Sequence, residues 1–192
     1  MNQVNRLEIE LDQADLVAIG EQFAERAAAR CQREDWFGIV PETEDWTPEL
    51  SRIVETIPGE KTRVIVLVLR AGGSRPRHSD PVECCRKLPG MFMGFEVGNV
   101  ANVHVPLDSY PGAYFEDEDE ARVDVALGEA IVLDGTRPHA AKNDGDAHRM
   151  HLLVDVIVSD ELKSLAAGAP APKKKKTRRS RKKAEPLVFS DE

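Results

Sequence analysis

Residues 128–156, GEAIVLDGTRPHAAKNDGDAHRMHLLVDV, constrain this chain more than any other stretch. The apolar run 130–133 reads as a strand that passes Asp134-Gly135 and Arg137-Pro138 to reach His139. The chain then turns at Asn143-Asp144-Gly145-Asp146, where Gly and Asx residues tolerate the positive φ of tight turns. A second strand, 149–158, comes back. Alternation puts Met150, Leu152, Val154 and Val156 on one of its faces and Arg149, His151, Leu153 and Asp155 on the other. Polar side chains on a buried strand cost free energy unless each has a partner. The hairpin therefore calls for an organised polar cavity, with an imidazole where one strand ends and a guanidinium where the next begins.

A second half of that cavity lies upstream. Residues 62–69 (TRVIVLVL) form a β-branched run bounded by Gly72-Gly73, the pattern of a buried strand. SRPRHSDP follows at 74–81. In extended chain His78 and Asp80 point the same way and can share one ion. His139 would complete two imidazoles and a carboxylate, the facial set that leaves open positions on iron. Arg149, ten residues beyond His139, suits a dicarboxylate because its planar fork binds carboxylate through two hydrogen bonds. The plain alternative is a loop histidine, a turn-capping aspartate and a surface histidine after Pro138. On a strand over 101–107, Asn102 and His104 share a face, and by itself such a histidine reads as a satisfied core residue.

The ordered set is more specific than its parts. His78-x-Asp80, the strand Val103-His104-Val105-Pro106-Leu107, Gly128-Glu129, His139 to Asn143, and Arg149-Met150-His151 to Asp155 together resemble the aspartyl/asparaginyl β-hydroxylase family over about residues 46–158. The resemblance implies an iron(II)- and 2-oxoglutarate-dependent dioxygenase, in a family that includes bacterial enzymes acting on free proline. The implied fold is mainly β: a double-stranded β-helix (jelly-roll, cupin-like) barrel braced by N-terminal helices. By the resemblance His78, Asp80 and His139 would hold the metal, Arg149 would bind the distal carboxylate of 2-oxoglutarate, and His104 and Asn102 would line the cosubstrate pocket, with O2 as second cosubstrate. The chain departs from the family at Asn102, where relatives often carry Arg, and at Leu67, where some carry Ser, so Arg149 would carry more of the cosubstrate binding. The expected activity is hydroxylation of an aliphatic C–H in an amino acid or in a side chain of a peptide or protein. Two other readings stand beside it: a non-redox cupin-type metal protein, whose ligand set is commonly richer in His, and a binding module that reads nucleic acid through a basic tail.

The remaining chain supplies scaffold. Asp12 and Asp15 are N-cap candidates for a helix over 16–33 with Leu16, Ile19, Phe23 and Ala27 on one face. Thr47-Pro48 starts a second helix with Leu50, Ile53, Val54 and Ile57 as its stripe, stopped by Pro58-Gly59. The helical brace spans 12–57 and the barrel 61–158. Residues 81–98 form either an irregular cover over the core or a lid over the metal site, with Cys84-Cys85 as free thiols. A strand is expected over 122–127, after the acidic run 116–120.

Charge divides the molecule. The chain carries −8 overall, yet residues 168–192 hold nine Lys/Arg against three Asp/Glu, leaving −14 on residues 1–167. We expect one domain over 1–167 and a disordered basic tail over 168–192, which either touches an anionic partner (nucleic acid, ribosome or membrane surface) or only solubilises the chain or docks on its acidic body. An acidic rim near 116–120 would favour a neutral or cationic substrate, an amino acid or peptide, unless Arg75, Arg77 or Arg137 overrides it. The chain shows no membrane span and no signal peptide, and its odd cysteine count fits a reducing compartment, so a cytoplasmic protein is expected.

Overall fold

The computed structural model describes residues 3–80, 93–108 and 112–167. In chain order the elements are β1 (Val4–Leu7), α1 (Gln13–Cys31), β2 (Trp36–Ile39), α2 (Pro48–Thr56), β3 (Lys61–Leu69), β4 (Ser74–His78), β5 (Val100–Pro106), β6 (Ala113–Glu116), β7 (Arg122–Val123), β8 (Ala130–Leu133), β9 (His139–Asn143), β10 (Arg149–Ile157) and α3 (Asp160–Ala166). They form two antiparallel sheets, a six-stranded one in the order β1-β8-β5-β10-β3-β2 and a four-stranded one in the order β4-β9-β6-β7. The sheets stack as the two layers of the jelly roll expected from the sequence, as two separate antiparallel sheets and not one continuous closed barrel.

Alternation decides what each face of the large sheet meets. Met150, Leu152, Val154 and Val156 of β10 share one hydrophobic cluster with Val66 and Val68 of β3, Val103 and Val105 of β5, and the helix residues Leu16, Ile19, Phe23, Leu50 and Ile53. The helices thus cover the outer face, and the opposite face, carrying His104, Arg149 and His151, looks at the small sheet.

Local chemistry sets the helix ends. Asp12 caps α1 by accepting from the Ala14 and Asp15 N–H groups, and Thr47 caps α2 by accepting from Leu50 N–H at 3.3 Å, with Pro48 at the first position. Asp15, the other cap candidate, lies inside the first turn of α1 and pairs with Arg52 of α2 at 2.7 Å. Gly59 sits at φ +100° after α2, and a Cβ there would lie 2.7 Å from the Ile157 carbonyl oxygen.

Several expectations change. His139 does not end the strand Ala130–Leu133; the chain crosses between sheets after Leu133, and His139 opens β9. The strand expected over 122–127 shrinks to Arg122–Val123. Strands β1, β2, β4 and β6 and helix α3 have no counterpart in the sequence reading. The segment 81–92, with Cys84-Cys85 and most of the lid candidate, and the basic tail 168–192 lie outside the described residues. Among the described residues no helix is long and apolar enough to cross a membrane.

Candidate metal and cosubstrate site

Strand β4 delivers the first ligand through a distortion. It pairs Arg75 with Ala141 and then His78 with His139, so three steps along β4 match two along β9. This extra residue is a β-bulge, which re-aims side chains. In a regular strand Arg75 and His78 would face opposite ways; here both line the space between the sheets. Asp80 follows, its N–H held by the Gly135 carbonyl at 2.7 Å. One ligand atom from each of His78, Asp80 and His139 lies within 4.8 Å of the others.

The two imidazoles are oriented alike. His78 Nδ1 lies 2.7 Å from the Pro76 carbonyl and His139 Nδ1 lies 2.9 Å from the Arg137 carbonyl. A carbonyl only accepts, so each Nδ1 carries a proton, and in the neutral ring that leaves the lone pair on Nε2, the arrangement a metal-binding histidine needs. His78 Nε2 is buried without a hydrogen-bond partner. Burial first, then Arg75 and His139, hold His78 below the ordinary imidazole range against the opposing Pro76 bond, which keeps it neutral and able to ligate.

Gly135 makes the fit possible. A Cβ on it would run into the Asp80 carboxylate and lie 2.9 Å from Asn102 Oδ1. Gln3 is a residue that sequence reasoning missed. Buried at the start of the described chain, it donates to the Arg137 and Pro138 carbonyls, both at 3.1 Å, and accepts from Glu118 N–H at 2.6 Å. No local pattern marks it, because its partners lie more than a hundred positions away. The acidic loop is tied down from the same side: Arg137 pairs with Glu118, Arg77 donates to the Asp117 and Glu118 carbonyls, and Lys142 pairs with Glu116.

Arg149 opens β10 and is buried at 6% exposure. Its guanidinium stacks over the Phe115 ring at 4.3 Å and donates to His151 Nδ1 at 2.9 Å. Among the described residues no carboxylate forms an ion pair with it. Burial draws its pKa down to about 9, with Asp108 opposing. Burial, then the Arg149 charge, pushes both His104 and His151 well below the ordinary range, so His151 is neutral and can accept from Arg149. The His104 ring meets Phe115 at 4.9 Å and His151 at 6.1 Å, and its Nδ1 is buried without a partner.

Asn102 donates to Asp155 Oδ1 at 2.7 Å while its own Oδ1 is buried and unpartnered. Asp155, at 1% exposure, also accepts from Arg63 Nε of β3 at 2.6 Å. Arg63 is the second site residue the sequence did not single out. The signal was there, since Asp155 needed a partner, but alternation alone does not say which strand supplies it. His78, Asp80, His139, Arg149, His151, His104, Asn102 and Arg63 line one cavity of about 280 Å³, closed by apolar Ile65, Leu67, Leu69 and Leu153. An octahedral ion that takes two neutral imidazoles and a carboxylate, and an anion with a carboxylate for Arg149, fit the donors present.

A profile of the aspartyl/asparaginyl beta-hydroxylases matches residues 29–159, from the end of α1 through β10. The chain belongs to this family. Solved structures share the fold of this β-hydroxylase relative at low identity. The viral collagen prolyl hydroxylase of Paramecium bursaria Chlorella virus-1 superposes with a TM-score of 0.53 at 10% identity, over 83% of this chain and 97% of that one. A Pseudomonas putida prolyl-4-hydroxylase gives 0.51 at 14% identity, over 83% and 94%. A carbocyclase of nogalamycin biosynthesis gives 0.54 at 14% identity, over 82% and 81%. No curated protein sequence matches this family member.

Proposed function

We propose that this chain is an iron(II)- and 2-oxoglutarate-dependent dioxygenase that hydroxylates an aliphatic C–H of an amino acid or of a side chain in a peptide. One observation carries the reading: a His78/Asp80/His139 cluster shares a small cavity with a buried guanidinium that, among the described residues, forms no ion pair with a carboxylate. In a low-dielectric cavity an uncompensated cation is costly, so Arg149 is set to receive an anion.

His78, Asp80 and His139 would hold iron(II), and Arg149 would anchor the distal carboxylate of 2-oxoglutarate beside His104 and Asn102. When bound, iron with 2-oxoglutarate and O2 supplies the oxidation, the cosubstrate leaving as succinate and CO2. The chain's own part is geometric and electrostatic. Two backbone carbonyls fix the imidazole tautomers, His151 holds the Arg149 fork by accepting one of its N–H groups, and the leucines and Phe115 keep water from the reacting space. The acidic body favours a substrate whose side chain is neutral or cationic.

The test is 2-oxoglutarate consumption and mass gain of one oxygen in pooled amino acids or peptides. His139→Ala should abolish iron-dependent consumption, and Arg149→Ala should raise the 2-oxoglutarate requirement by roughly 10- to 100-fold, the scale of a lost charge-assisted hydrogen bond. Consumption at parent level in His139→Ala would defeat the assignment.

A further inference from the structure

Three arginines were candidates to act near the metal cluster, and the structure separates them. Arg77 is used on the Asp117 and Glu118 carbonyls and Arg137 on Glu118. Arg75 is not used in this way. The β4 bulge leaves it on the cavity side with His78, where its guanidinium lies over the Trp36 ring at 4.7 Å. Its hydrogen bond to Asp80 Oδ1 is long, at 3.4 Å. Asp80 belongs to the proposed ligand set, so its charge would be shared with a metal ion and satisfy Arg75 still less.

Position points the same way. Trp36 is on β2 and Arg75 on β4, and each is the edge strand of its sheet. The stacked pair therefore stands at the open rim of the cavity, with Trp36 at 42% exposure, whereas Arg149 is deep, on an interior strand. Arg63 also lines the cavity, but Asp155 holds it at 2.6 Å. The charges leave a remainder. Arg63, Arg75 and Arg149 face the carboxylates Asp80 and Asp155, and a divalent ion and a dianionic cosubstrate cancel one another. One positive charge is left for a monoanion, at the rim.

The geometry points to Arg75, seated on Trp36, as the receptor for a carboxylate of the substrate, which makes the substrate a free α-amino acid or the C-terminal residue of a peptide, not a residue inside a chain. This rests on the dioxygenase reading and deepens it. The acidic loop bears on the substrate's side chain, while Arg75 takes the α-carboxylate, so a zwitterionic or cationic amino acid satisfies both.

Full-length protein loaded with Mn(II) and 2-oxoglutarate under argon is titrated calorimetrically with each of the twenty L-amino acids and their α-amides. Glycyl dipeptides with free or amidated ends separate a free amino acid from a peptide terminus. At least one acid should bind roughly 10- to 100-fold more tightly than its amide, the scale of a charge-assisted bond to carboxylate. In Arg75→Ala that ratio should fall to about 1, with Arg75→Lys between, because Lys lacks the fork. Since the ratio is taken within one protein, a weaker metal site does not mimic the result. If Arg75→Ala cannot retain Mn(II), Trp36→Leu, which leaves Asp80 in place, decides by narrowing the ratio or not. Equal binding of acids and amides, binding of no acid at all, or a parent-like ratio in these variants overturns the proposal. Failure of the parent to bind Mn(II) and 2-oxoglutarate overturns the dioxygenase reading and this proposal with it.

Discussion

Single side chains decide whether the cluster can work at all. Gly135 is the tightest point, because the Asp80 carboxylate and Asn102 Oδ1 occupy the space a Cβ would need. Gly135→Ala should weaken Mn(II) binding by roughly 10- to 100-fold, as mutations just outside metal ligands do. Its cost in stability should stay at about 1–3 kcal/mol, typical of an overpacked site. Mn(II) titration and thermal unfolding of the same sample separate the two effects. His104 and His151 make a prediction about pH. Both are held neutral by burial, so their folded pKa values lie below the roughly 6.5 of an unfolded histidine. The unfolded state then binds more protons as pH falls below that value. Their contribution is fully present above about pH 6.5 and is lost as pH falls, with a limiting slope of about 1.4 kcal/mol per pH unit for each imidazole. Asp108 opposes this, since burial raises it to about 7 and the folded state holds its proton between roughly pH 4 and 7. His104→Gln should therefore make apoprotein stability between pH 5 and 6 less pH-dependent than in the parent, by denaturant unfolding; identical slopes would deny that His104 is buried and neutral.

At the scale of elements, β10 carries most of the organisation. One of its faces seals the helices against the large sheet and the other presents Arg149, His151 and Asp155 to the cavity side. Asp155→Ala strips Asn102 and Arg63 of their shared acceptor. Arg63 remains half in water, so the loss should be about 2–3 kcal/mol, mostly from the buried Asn102, and chemical denaturation would read it. Phe23→Ala in α1 should cost more, about 3–5 kcal/mol, because that ring is fully buried under the sheet. These elements were legible in the sequence: the β10 alternation, the caps Asp12 and Thr47, and the run 101–107 all declare themselves locally. Strands β1, β2 and β4 do not. Each is short and lies at a sheet edge, and β4 contains Pro76, which a strand tolerates only where an N–H is not required. Their pairing comes from β8, β3 and β9, not from any pattern of their own.

At the scale of the whole molecule, the described residues stack two sheets with the polar groups of the site between them, and that arrangement should respond to ligands by mass action. At 100 times its dissociation constant, Mn(II) should add about 2.7 kcal/mol to stability, and a chelator should remove it. The upward shift in melting temperature should vanish in His139→Ala while the apoprotein melts near the parent. Truncation after Ala167 removes a tail with nine Lys/Arg against three Asp/Glu and no proposed site residue. It should leave Mn(II) and 2-oxoglutarate binding intact, and loss of either by a folded truncation would show that the tail contributes to the cavity.

The sequence by itself determined the alternating faces of β10, the capped helices α1 and α2, and an ordered set of His78, Asp80, His139 and Arg149 specific enough to match a family. These are local or near-local patterns, written by the period of two along a strand and by the unpaired N–H groups of a helix start. Only the tertiary structure decided that a bulge turns Arg75 and His78 into one cavity, that Asp155 holds Arg63, and that Gln3 fixes the carbonyl to which His139 donates, across 134 positions of chain. Contacts of that kind join strands far apart in sequence, within one sheet for Asp155 and Arg63, and neither hydrophobic period nor turn chemistry records which polar groups will meet when strands pair and layers close.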